Sequence, residues 1–283
     1  MTMRMTTILA ALAVTLLPGG AAVAAAVDAS PATASTAAEQ APAPVPIEEW
    51  SLARVTAMGR EIYRHDTAAW LATDALLAVH SPESLPGLRG WIVVPAGDGL
   101  KVRFLRESPS GYKIGWDVVV TGDRAGPVVE PADGSLTPAE TAQWQARQTA
   151  IANIGTLRCS ASLNAVVVAD PDSDNWLVWL LTATTDANII PVGGHYRFRI
   201  SADGLSVVRR DQLSVGCLNM PLTSPEHPDS PVGLTVTQLV SSGPVETHVF
   251  LSLQNRIPIY VMAGEKVFAV DGDCIRDISC DFH

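Results

Sequence analysis

Residues 176–217 read WLVWLLTATTDANIIPVGGHYRFRISADGLSVVRRDQLSVGC, and this stretch decides the fold. Polar and apolar residues alternate over His195–Ile200, with His195, Arg197 and Arg199 on one face and Tyr196, Phe198 and Ile200 on the other. Period two among aromatic and β-branched residues predicts a half-buried antiparallel strand. Ser201-Ala202-Asp203-Gly204 supplies a turn whose last residue is free to take positive φ. Leu205–Val215 is then the returning strand.

Working outward, the text before this hairpin is strand as well. Leu163–Ala169 and Trp176–Thr184 flank an acidic tip, Asp170-Pro171-Asp172-Ser173-Asp174-Asn175. Asp170, Asp172 and Asp174 share the spacing that opens a calcium loop. The sixth position is Asn rather than Gly, however, and the twelfth is Leu181 rather than Glu, which leaves them weak candidates for the metal. Upstream, Thr137-Pro138-Ala139-Glu140 carries a capping box and a proline at the first helical position, predicting a helix that ends before Gly155. Three further strands, Gly90–Pro95, Leu100–Glu107 and Tyr112–Thr121, are separated by turn formers and read as a meander. Ile47–His80 repeats apolar residues at helical intervals and predicts a helix that would be about 50 Å long if unbroken, with a bend near Gly59 or an irregular end. Within it His65 and Asp66 interrupt the stripe, with Asp74 two turns on, as a candidate acid–base group or a wet edge.

Downstream, Gly233–Val240 and Val245–Leu253 read as another strand pair, with short strands to the end of the chain. Helix then strands, twice over and without βαβ alternation, predicts an α+β fold: an antiparallel β-meander or roll packed against two amphipathic helices. Residues 47–121 form the first unit, 122–136 a connection and 137–283 the second, the whole being also readable as one domain over 47–283.

The N-terminus reads as an export leader. Arg4, the apolar run Ile8–Leu17 and the small residues before position 26 make residues 1–26 a signal peptide. The run stops at Pro18, well short of the roughly 20 residues a membrane span needs. Residues 27–46, rich in Ala and Pro, read as a disordered linker. The expectation is a bacterial protein, periplasmic or secreted, with no transmembrane segment in the mature chain. Four cysteines behind a leader favour disulfides, and Cys159–Cys217 with Cys274–Cys280 is the expected pairing; their spacing is too irregular for zinc.

Function is far less legible. A net charge of −10 without any basic run opposes nucleic acid. No Gly-rich phosphate loop, His-Glu-x-x-His or haem motif occurs, so no cofactor is expected. The arginine face of the hairpin, His195, Arg197, Arg199 and Arg209, is the candidate ligand-binding surface. Arg197 is expected opposite or near Arg209, and either internal acids such as Glu246 or a bound anion must offset the like charges. Glu246 and His248 share a face of their expected strand and form a weak candidate for half a hydrolase triad, although no nucleophile elbow accompanies them. The expected function is a non-catalytic binding module for a protein, a peptide or a small anion, with a cell-envelope hydrolase as the alternative.

Overall fold

The computed structural model describes residues 44–109, 111–222 and 233–282. The expected leader, most of the expected linker and most of the Leu218–Pro231 loop lie outside the described residues. Pro44–Trp50 runs without regular structure, and α1 (Leu52–Val79) follows it directly. The helix begins at Ser51, whose side chain accepts a hydrogen bond from the Arg54 N–H. Its 28 residues span about 42 Å and continue through Gly59, so of the two expected departures it is the irregular end, over residues 47–50, that the structure has.

Two cores share this helix. Ala68, Ala69, Ala72 and Leu76 pack against Val102, Phe104, Trp116, Val118 and Val120. Those residues belong to the antiparallel sheet β1 (Leu88–Ala96), β2 (Gly99–Ser108), β3 (Gly111–Thr121) and β4 (Arg124–Ala125), ordered β1-β2-β3-β4. Three alanines on the helix face let the large strand residues approach closely. Val55, Met58 and Ile62, nearer the start of α1, belong instead to the core of the C-terminal half.

The capping box of Thr137 and Glu140 forms as expected at the start of α2 (Pro138–Ala152). The central sheet has the order β5 (Leu163–Ala169), β6 (Trp176–Thr182), β8 (Tyr196–Ile200) and β9 (Val207–Gln212), all antiparallel. A side ribbon pairs β7 (Ile189–Pro191) with β10 (Asn219–Pro221). The period of two over residues 195–200 holds, but it does not separate core from water. Tyr196, Phe198 and Ile200 pack on Ala146 and Ala150 of α2. On the other face Leu177 and Trp179 join the core around Val55 and Ile62, and Arg197 is buried beside them. The sheet is thus covered on both sides.

Residues 245–253 correct the sequence reading. Glu246–Asn255 is α3, a helix, and not a strand. It links β11 (Leu234–Thr237) to β12 (Ile259–Ala263), which pair in parallel, so a βαβ crossover exists where none was expected. The sheet continues antiparallel through β13 (Lys266–Asp271) and β14 (Cys274–Asp277). Every residue from Glu246 to Ser252 is buried, so no polar face betrays the helical period. Short apolar runs of that kind fit strand and helix equally well. Arg256 ends the helix in the left-handed conformation at φ 56°. The class is α+β, with three helices rather than two among the described residues.

Gly59 marks where α1 and α3 touch. A Cβ placed there would fall 2.5 Å from Val249 Cβ and 2.8 Å from the Glu246 carbonyl oxygen. The glycine that suggested a bend permits a close helix crossing instead.

Cys159 and Cys217 form a disulfide, as expected. Cys274 and Cys280 are free and exposed, which corrects the second pairing. Cys274 opens β14, whereas Cys280 lies beyond its end in a 3-10 turn, Ser279–Phe282.

Candidate functional site

The arginines of this face gather carboxylate partners from four segments of the chain, at Glu48, Asp170, Asp211 and Glu246. A bulge in the β8–β9 ladder shifts the register between Arg199 and Ile200, so Arg199 lies opposite Arg209 and Arg197 opposite Asp211. Arg209 is thus near Arg197, one pair along the ladder, rather than directly opposite it. Arg197 Nε and Nη2 donate to Asp211 Oδ2 at 3.2 and 2.7 Å. Its Nη1 lies 3.2 Å from both oxygens of Glu246. Trp179 Nε1 donates to Glu246 Oε1 at 2.8 Å, completing the surroundings of a carboxylate with no exposed surface. The expectation that Glu246 offsets the arginine charge holds, although Glu246 reaches across from a helix N-terminus rather than from a strand.

A second group adjoins the first. Arg199 meets Asp170 at 3.0 Å and Glu48 at 3.0 Å. Burial alone would lower the Arg199 pKa, but hydrogen bonds and charge from Glu48 and Asp170 outweigh it and raise the pKa. Asp170 also accepts from Arg54 Nη2 at 3.0 Å, and Asp172 pairs with the same arginine. The carboxylates of the suspected calcium loop are therefore turned toward guanidinium groups, while Asp174 is exposed. No group of three or more metal-ligating side chains occurs among the described residues.

What covers this face is the chain itself. The Glu48 carbonyl accepts from Arg197 Nη2 at 2.7 Å, and the Glu48 N–H donates to Asp211 Oδ1 at 3.4 Å. The Ile47 N–H donates to the Val240 carbonyl at 3.1 Å, and Glu49 accepts from the backbone and side chain of Ser242. Trp50 stacks with two guanidinium groups, Arg197 Cζ lying 3.8 Å and Arg54 Cζ 4.3 Å from its ring centre. Sequence reading assigned Ile47–Trp50 to a helix and so missed its function as a clasp. It also missed Arg54 and Asp211. A usable signal for Asp211 was its place two residues from Arg209, on the same side of an extended strand.

Both candidate histidines are held neutral. Thr182 N–H donates to His195 Nδ1 at 3.0 Å, so the ring proton sits on Nε2, which donates to the Pro191 carbonyl at 2.9 Å. Burial pushes the His195 pKa down to about 4, against a smaller opposing effect of the Pro191 bond. His248 Nδ1 accepts from the Val245 N–H at 3.1 Å, capping the helix it stands on. Burial, and then the nearby His195, push its pKa down to about 3. A triad histidine donates from Nδ1 to its carboxylate. Here Nδ1 carries no proton and Glu246 is engaged with Arg197 and Trp179, so the pair lacks the geometry of a hydrolase dyad.

His65 and Asp66 do come together at a space of about 20 Å³ between β1 and β5, which Gln143 also lines. Gln143 Nε2 donates to the Val93 and Val167 carbonyls at 2.9 and 3.3 Å, stitching the two sheets edge to edge. The volume suits about one water molecule. Burial lowers the His65 pKa and raises that of Asp66 to about 6. Asp74 does not line this space and is exposed on α1.

Comparison with protein-family models, with curated proteins and with solved structures returns no match. No helix among the described residues is long and apolar enough to cross a membrane.

Proposed function

We propose that this chain is a non-catalytic, exported binding module of a bacterial cell envelope, and that it takes an extended acidic segment of a partner protein along the outer edge of β9. One observation carries the reading. Among the described residues β9 pairs only with β8, and its residues Val207, Val208, Arg209 and Arg210 are all exposed. An added strand gains main-chain hydrogen bonds there, with specificity from alternate side chains.

Charge selects the occupant. Arg158 is exposed, Arg210 donates only to the Asn153 carbonyl, and neither has a carboxylate partner among the described residues. Against a net charge of −10, this basic edge favours an acidic approach. Two copies pairing β9 to β9 in antiparallel register would bring arginines together, which opposes self-association. The disulfide Cys159–Cys217 suits an oxidising compartment, in keeping with the leader. The neutral, enclosed histidines support binding rather than turnover.

The test is fluorescence anisotropy with a labelled extended peptide alternating glutamate and valine, measured on the wild type and on Arg210→Glu. Saturable binding that weakens at least tenfold in the variant and at high salt supports the reading. Equal binding by both proteins, or preference for a lysine–valine peptide, overturns it. Ester hydrolysis by the wild type that is lost in His248→Ala would instead favour the hydrolase.

A further inference from the structure

Arg147 stands apart from the other arginines that are buried or half-buried. Arg103, Arg197 and Arg199 each meet two carboxylates. Arg147 meets none among the described residues, although its Nη1 is fully buried and without a hydrogen-bond partner. Arg54 and Arg106 also leave a buried Nε unpartnered, but each reaches a carboxylate through another nitrogen. The Arg147 guanidinium lies 5.1 Å from the ring of Trp144, one turn earlier on α2. Trp144 is 3% exposed, and its Nε1 is a second buried donor with no acceptor.

The surroundings leave room for this pair but supply no acid. A Cβ on Gly90 would fall 3.2 Å from the Trp144 ring and 3.6 Å from Arg147 Cζ. Gly90 at φ +147° is thus where β1 yields space to both side chains. Tyr112 meets the Trp144 ring edge-on, at 5.3 Å between centroids. Desolvation alone, with no compensating charge, draws the Arg147 pKa down to about 10. Burying a guanidinium unpaired is costly, and orphaned buried donors are rare enough in folded proteins to need a reason.

We infer that Arg147 and Trp144, where α2 crosses the first meander, form a binding site for a small oxyanion, a carboxylate or a phosphate. The guanidinium fork suits either group, an oxygen at Arg147 Nη1 gives that orphaned donor an acceptor, and the Trp144 indole 5.1 Å away senses its arrival. The site involves none of the residues of the β9 edge, so it stands or falls independently of the proposed function.

The experiment follows the Trp144 indole N–H resonance by NMR while the full-length mature protein is titrated with sodium phosphate or sodium acetate, with sodium chloride as the ionic control. A saturable downfield shift with phosphate or acetate, absent with chloride, is expected, and the anion that produces it identifies the ligand class. Arg147→Met abolishes the shift and raises the melting temperature of the anion-free protein, whereas Arg147→Lys weakens binding roughly tenfold. Arg210→Glu, which contacts neither Arg147 nor Trp144, leaves the shift intact. Absence of a saturable shift with either anion, or its persistence in Arg147→Met, overturns the inference.

Discussion

Glu246 Oε2 lies 3.2 Å from Arg197 Nη1, and the two side chains keep 0% and 3% of their surface. One stands on the first turn of α3 and the other in the middle of the central sheet, so the pair ties the βαβ crossover to the sheet. Removing one partner of such a pair leaves an uncompensated buried charge. Glu246→Gln is therefore expected to destabilise the fold by roughly 3–5 kcal/mol. Urea unfolding checks this; a loss under 1 kcal/mol would show that Asp211 alone suffices for Arg197.

The two neutral histidines make stability depend on pH. Their folded pKa values, about 4 for His195 and about 3 for His248, lie below the ordinary 6.5. The unfolded chain therefore binds protons first, and the stabilisation present above pH 6.5 is lost as pH falls toward 4 and then 3. Two such groups give a slope of up to about 2.7 kcal/mol per pH unit. Asp66 acts with the opposite sign. Burial raises its folded pKa to about 6, so its contribution is complete below pH 3.8 and is lost as pH rises through 6. Asp66→Asn should steepen the acid-side loss between pH 6 and 4, as read from melting temperatures across that range.

Gly59→Ala tests the contact of α1 with α3. The added methyl meets Val249 and the Glu246 carbonyl well inside contact distance, and both lie in the crossover helix. Overpacking of this kind typically costs about 1–3 kcal/mol. Because α3 carries Glu246, the substitution should also loosen the Trp50 clasp, visible as a change in tryptophan fluorescence. A variant as stable as the wild type would show that the helices part without penalty.

The cysteines should divide two and two. Cys274 and Cys280 are exposed thiols and should alkylate in the native protein, while Cys159 and Cys217 alkylate only after reduction and unfolding. The bridge closes a loop across 58 positions, so its removal by Cys159→Ala with Cys217→Ala should cost about 4 kcal/mol. Mass spectrometry of alkylated native protein counts the labels; four labels before unfolding would exclude the bridge.

Much of the fold was legible because its signals are local. The capping box at Thr137, the turn at Gly204 and the strands of the first meander follow from nearest-neighbour preferences, and the structure has them where the residues point. Illegible parts depended on burial. At 246–252 complete enclosure erased the polar face that distinguishes a helix. At Ile47–Trp50 the helical pattern was read too far back, because Ile47 and Trp50 are apolar for a different reason: they seat the clasp.

The alternation over residues 195–200 determined by itself that a strand exists, since period two is a property of the extended backbone. Whether its arginine side faced water, a ligand or the protein was a matter of tertiary structure. That depended on a bulge beside Arg199, on a helix supplying Glu246, and on a segment almost 150 residues upstream folding back over Arg197. A charge shows in sequence, but its partner is chosen by the packing that removes water from between them.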